Sequence, residues 1–180
     1  MNNILKKYEN IALSNKDIMK LIKGKANIVL YHDLHKYKTI DEVLGKYSAC
    51  FLLFESKKNY GHWCLLFKLD KDSLEFFNPY NGYPDDSLDY VPNDFKKISN
   101  QDRPYLSTLL FQSPYELSYN EFGFQAHNEN IKTCGRWCCL RLICRYMSLY
   151  EFNNLIKSLC NELNLNPDQL VTLLTMYVNK

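Results

Sequence analysis

The sequence predicts an α+β domain, with strands in its middle and helices at both ends. Three observations carry that expectation. A wholly apolar run at residues 48–55 is followed by two more strand-like runs joined by short polar turns. Capped helical patterns precede it, and an almost unbroken helical pattern occupies the chain from residue 133 onward. With 180 residues the chain can bury one sizeable core, and no repeat or Pro/Gly/Ser-rich linker divides it, so residues 1–180 read as a single domain.

The elements follow in order. Ser14 with Asp17 three residues on forms a capping-box pattern, and Ile18, Leu21 and Ile22 give a helical stripe that stops at Gly24. Residues 39–46 suit a short helix capped by Thr39. Residues 48–55 (SACFLLFE) are apolar throughout, as in a strand buried on both faces; residues 62–69 and 74–77 continue as a meander. Residues 78–120 hold five of the six prolines and read as mostly loop, with a short helix or strand around 105–111. Residues 122–125 suggest a short aromatic strand. Helices are then expected at 134–149, about 150–162 and 167–178, the last capped by Asn166 with Pro167 at its first position and Asp168 in its first turn.

Composition narrows the function. A net charge of +2 is too mild to argue for nucleic acid. Lysines do lead the first forty residues, which leaves weak contact with a polyanion such as DNA open, although a solvated helical surface explains them as well. No run is long enough to span a bilayer, and the N-terminus lacks a signal-peptide apolar core. Seven cysteines, two of them adjacent (Cys138, Cys139), make a poor disulfide framework and indicate an intracellular, reducing compartment.

Candidate chemistry gathers at strand ends and helix starts. Cys134 opens the long helix, where the macrodipole and free backbone N–H groups favour thiolate; Gly135 after it removes a side chain that would obstruct a substrate backbone. Arg141 and Arg145 are expected on that helix's polar face, while Cys138, Cys139 and Cys144 lie deeper and read as structural thiols. His62 enters an apolar strand with Trp63 packed behind it, and can serve as general base to a thiol. Asn78 ends the next strand, so a hairpin would bring its carboxamide to the imidazole and fix the tautomer. Gln125 lies on the approach to Cys134, where its N–H2 could face a developing oxyanion together with the Cys134 N–H and the Trp63 N–H. Each residue has a bland reading as a buried thiol, a turn histidine, a turn asparagine or a strand-end amide. The order His, Asn, Gln, Cys excludes the papain arrangement, in which cysteine comes first.

His62-Trp63, Asn78-Pro79-Tyr80, Gln125 and Cys134-Gly135 resemble the adenain-like cysteine proteases, which belong with the ubiquitin-like-protein-specific proteases. The stretch FQAHNENIKTCGRWCCLRL carries the strongest likeness, and the matching core runs over about residues 48–145. GHW, FFNPYNGYPD and TCGRW are also similar to the maturation proteases of virophages, polinton-like elements and large DNA viruses. The resemblance implies a papain-like/adenain-like fold, with a central mixed sheet packed on a buried nucleophile helix and flanking helices. It implies a monomeric thiol endopeptidase that cleaves capsid and other virion precursors at small-residue, glycine-containing sites in a narrow tunnel. The expected setting is the virion and host cytoplasm, with no cofactor. Many relatives carry Asp or Glu where this chain has Asn78, so either Asn78 serves or a nearby acid such as Asp85 does, and the interval from Gln125 to Cys134 is longer than is common.

Three other readings compete. One is a ubiquitin-like-protein isopeptidase of the same fold. Another is a zinc-stabilised binding module using His32, His35 and Cys134 with Cys138 or Cys139, although no CxxC pair exists. The third is a protease-like scaffold that has lost activity, which the intact Cys, His and Gln set opposes.

Overall fold

The computed structural model describes residues 2–176. Helices α1 (Asn2–Glu9) and α2 (Asn15–Leu21) open the chain, followed by β1 (Asn27–Leu30), a 3-10 turn (Tyr31–Lys36), α3 (Ile40–Leu44) and a second turn (Gly45–Tyr47). The meander is β2 (Ala49–Lys57), β3 (Tyr60–Lys68) and β4 (Ser73–Phe77). A turn (Asp86–Tyr90), α4 (Asn93–Ile98), α5 (Tyr105–Phe111) and β5 (Glu116–Tyr119) lead to α6 (Cys134–Ile143), α7 (Leu149–Leu163) and α8 (Pro167–Thr175). The expected final helix extended to residue 178; positions 177 and 178 lie outside the described residues.

The architecture is α+β, a five-stranded mixed sheet in the order β1-β2-β3-β4-β5 with helices on both faces. β2, β3 and β4 pair antiparallel, while β1 and β5 add parallel edges. The central strands are apolar on both sides because alternate residues enter different cores. Phe51, Leu53, Trp63, Leu65 and Phe67 pack with α2, α6, α7 and α8. Cys50, Leu52, Phe54, Cys64 and Leu66 pack with α3 and α5 on the opposite face. Full burial of each large side chain contributes about 1.5–3 kcal/mol.

Several expectations are corrected. Residues 122–125 form no strand: the Phe124 and Gln125 amides both donate to the Pro79 carbonyl, at 2.8 and 3.0 Å, so the segment docks across a loop instead of joining a ladder. The region 78–120 is more ordered than expected: the short element foreseen at 105–111 is the helix α5, and α4 and the edge strand β5 are added to it. The long helix stops at Ile143 instead of 149. Arg141 explains the stop, and it is buried instead of lying on a polar face. Its guanidinium grips Glu75 of β4 at 2.6 and 2.7 Å and also donates to the carbonyls of Cys144 and Met147, both at 2.9 Å. Those carbonyls shape the turn between α6 and α7, after which the Ser148–Glu151 capping box starts a new helix.

The Arg141–Glu75 pair therefore ties the inner helix to the sheet. Replacing Arg141 by Met should destabilise the protein by about 3–5 kcal/mol, because the Glu75 carboxylate stays buried without its partner. Urea denaturation of Arg141→Met measures this; a loss below about 1 kcal/mol would show the pair to be dispensable.

Candidate active site

The cleft forms where the sheet is incomplete. The β3–β4 ladder runs only between Leu65–Lys68 and Leu74–Phe77, so the stretch of β3 before Leu65 is paired with β2 on one side and has no β4 residue beside it on the other. Gly61 enters this stretch: a Cβ there would lie 1.8 Å from the Phe54 carbonyl oxygen, so only glycine lets β2 and β3 approach so closely just before His62. Into the gap come His62, the Asn78 turn and the first residue of α6. His62, Tyr80, Gln125 and Cys134 line one cleft of about 200 Å³.

Asn78 is the best-anchored group of the site. Its backbone N–H donates to Asn120 Oδ1 at 2.9 Å, and its carbonyl accepts from Asn120 Nδ2 at 2.7 Å. Its Nδ2 donates to Ser87 Oγ at 3.3 Å, while its Oδ1 accepts the Tyr80 backbone N–H at 3.1 Å. A backbone N–H can only donate, so the Tyr80 amide fixes which end of the carboxamide is oxygen. His62 Nε2 lies 2.8 Å from that same oxygen and must therefore carry the proton. Nδ1 is left as the bare, proton-accepting nitrogen. The alternative Asp85 is engaged elsewhere: it accepts Tyr31 Oη at 2.6 Å and the Ser107 N–H at 2.9 Å.

Tyr80, unassigned from sequence beyond its place in the motif, stacks on His62 at 4.7 Å with its other face on His127 at 4.3 Å. The ring thus holds the imidazole plane while Asn78 holds its edge. Surrounding protein pushes His62 down to about 4, the Asn78 hydrogen bond opposes this, and a protonated His127 would lower it further.

Cys134 is buried at the start of α6. Burial raises its thiol, while backbone N–H groups of Trp63, Gly135 and Cys134 itself pull it back down. The helix-start effect is present but burial outweighs it, so the surroundings of both Cys134 and His62 favour the uncharged form. Trp63 is held in turn by its Nε1 donating to the Leu13 carbonyl at 3.2 Å and its own carbonyl accepting the Cys138 thiol at 3.4 Å.

Two expected roles take a different form. A Cβ at Gly135 would meet Trp63 Cδ1 at 3.2 Å and Leu13 Cβ at 3.3 Å, so glycine there makes room for the protein's own side chains and not for a substrate. Gln125 lines the cleft, but its Nε2 donates to Tyr80 Oη at 3.0 Å and to the Ile131 carbonyl at 3.1 Å, so both amide hydrogens are engaged at rest. The backbone N–H groups of Cys134 and Trp63 already point at the sulfur.

Asp168 was legible only as a first-turn acid of the last helix. It is buried and accepts from the Ala126 N–H at 2.9 Å, Thr133 Oγ1 at 2.5 Å and Trp137 Nε1 at 3.1 Å. One carboxylate thereby clamps the loop after Gln125 and both sides of the Cys134 helix start. The residues of the zinc reading do not converge: His32 sits 3.0 Å from Glu55, and His35 bonds the His32 carbonyl and Asn100. Among the described residues no three His, Cys, Asp or Glu side chains gather as a metal site would need.

The chain is 55% identical over 172 residues to "Uncharacterized protein V9" of Sputnik virophage, a match covering 96% of this chain and 98% of that one. It belongs to the family of that virophage protein. No family model matches it. Among solved structures it is similar to the SUMO protease Ulp1 with its catalytic cysteine oxidised to a sulfinic acid, at 16% identity and a TM-score of 0.35, covering 91% of this chain and 78% of that one.

The low proton affinity of His62 has a consequence for stability. The unfolded imidazole takes up its proton near 6.5, the folded one only near 4. As pH falls through that window the unfolded chain gains the proton first, so this contribution is complete above 6.5 and is lost progressively down to 4. Urea midpoints of wild type and His62→Gln should therefore diverge in slope between pH 6.5 and 4, with the variant losing less; parallel slopes would show that His62 is not held neutral by folding.

Proposed function

We propose that the chain is a cysteine protease, a thiol endopeptidase of the adenain-like kind, in which Cys134 is the nucleophile and His62 its base. The observation that carries this reading is the His62–Asn78 hydrogen bond, whose polarity leaves Nδ1 free to accept a proton in the cleft that Cys134 also lines. On substrate binding His62 Nδ1 takes the thiol proton as the sulfur attacks the scissile carbonyl. The N–H groups of Cys134 and Trp63 receive the oxyanion, and Gln125 joins them by exchanging its Ile131 or Tyr80 bond for the substrate. The imidazolium, its Nε2–H still on Asn78, gives the proton to the departing amine; water then cleaves the thioester with His62 as base.

The proposed substrates are capsid or other virion precursor proteins, cut at small-residue, glycine-containing junctions. Membership in a virophage protein family supports a viral setting. The cleft of about 200 Å³, walled by Tyr60, Tyr80 and Tyr90, favours small side chains beside the scissile bond.

Cys134→Ala should fold as wild type and leave precursor junctions uncut in an electrophoretic cleavage assay, whereas Cys138→Ala and Cys139→Ala should still cut them, at a packing cost of about 1–2 kcal/mol. Retained cleavage by Cys134→Ala would overturn the assignment. Asn78→Ala should lower kcat on the order of a hundredfold with little change in KM, because the tautomer is no longer enforced. A parallel panel of ubiquitin-type fusions should remain intact; their cleavage in preference to virion precursors would redirect the reading to an isopeptidase.

A further inference from the structure

A groove of about 750 Å³ lies away from the cleft and is lined by Leu21, Ile22, Tyr47, Leu142 and Ile143 together with basic side chains. Its position is set by two helices. α2 begins beside Trp63 and Gly61, and α6 begins at Cys134 in the cleft; both then end in the groove. The ten residues of α6 separate groove and cleft by about 15 Å.

The rim consists of Lys23, Lys25, Lys46 and Arg145, all exposed, and no acidic residue lines the groove. Among the described residues none of these four makes an ion pair, as is true of most lysines of the chain, and Lys46 lies over the Tyr47 ring at 4.9 Å. In a chain of net charge +2, four cations around one hollow with no acid among its lining residues are a local excess of positive charge. The floor is apolar, and Ile143 at its edge is 52% exposed although it follows the otherwise buried Leu142.

The two features together select the occupant. A phosphate backbone needs cations but gains nothing from an apolar floor. A carboxylate-rich peptide carrying apolar side chains satisfies both. We propose that this groove docks an acidic segment of a partner protein, with apolar side chains between its carboxylates. The acidic side chains pair with the four rim cations while the apolar ones cover Ile143 and Tyr47. If the protease reading above holds, the partner is the substrate and the groove holds it at a distance from the cut.

The test uses the whole chain with Cys134→Ala, so that binding is read without cleavage and the failure of either proposal can be told from failure of the other. The probe is a fluorescein-labelled peptide of alternating Glu and Asp around a central Leu-Phe pair, followed by anisotropy. Controls are its Lys-substituted counterpart, a duplex DNA and phosphatidylserine vesicles. The fourfold variant Lys23→Gln, Lys25→Gln, Lys46→Gln, Arg145→Gln should weaken peptide binding at least about tenfold and flatten its salt dependence. Ile143→Ser should weaken it about fivefold with the salt dependence kept. Circular dichroism melts confirm that these surface variants fold. An unchanged affinity in the fourfold variant, equal binding of the Lys-substituted peptide, or binding of DNA or vesicles that ignores Ile143→Ser while the acidic peptide fails to bind would each overturn the proposal.

Discussion

The site depends on the orientation of one carboxamide. Every polar group of Asn78 is satisfied, by Asn120 on the main chain, by Ser87 on the amide nitrogen, and by the Tyr80 N–H together with His62 on the amide oxygen. A buried amide that turned over would set its N–H2 against the Tyr80 N–H and leave that donor unmet, at a cost of about 1–3 kcal/mol. The direction of the His62 hydrogen bond is therefore dictated by backbone geometry a few residues away. A neutral carboxamide thus fixes the tautomer as an acid would, without adding a second charge to a crowded cleft.

That neutrality matters because burial governs both titratable partners. His62 is pushed down and Cys134 up, so each prefers its uncharged form at rest. In the proposed reaction a substrate carbonyl would change the balance, since the charge leaving sulfur would move onto an oxygen that backbone N–H groups can meet. The surrounding scaffold keeps those groups in place: Asp168 fastens both sides of the α6 start, Leu13 holds the Trp63 ring, and Arg141 with Glu75 fixes the far end of α6 to β4.

Much of the frame was legible in the sequence, and the exceptions share a cause. The Ser14, Thr39 and Asn166 caps and the three central strands are encoded by neighbouring residues, and they form as their local patterns dictate. The parallel edges β1 and β5 are four residues each and owe their existence to partners far along the chain. Arg141 read as a surface residue because charge is exposed by default; its Glu75 partner lies 66 positions earlier. Asp168 read as a helix-start acid, although its side-chain donors Thr133 and Trp137 are more than thirty residues away. Within the candidate site, Cys134, His62 and Asn78 could be picked out because Cys134 opens α6, His62 lies near the start of β3 after a polar loop, and Asn78 directly follows β4. The engagement of the Gln125 amide by Tyr80 and Ile131 could not, since it depends on a loop conformation that no local pattern encodes.

The most direct measurement is the protonation pattern of the His62 ring, read from its 15N chemical shifts by NMR at neutral pH. The account predicts a protonated Nε2 and a bare Nδ1. A ring carrying its proton on Nδ1 would leave nothing to accept the Cys134 proton, and would contradict the arrangement on which the proposed chemistry rests.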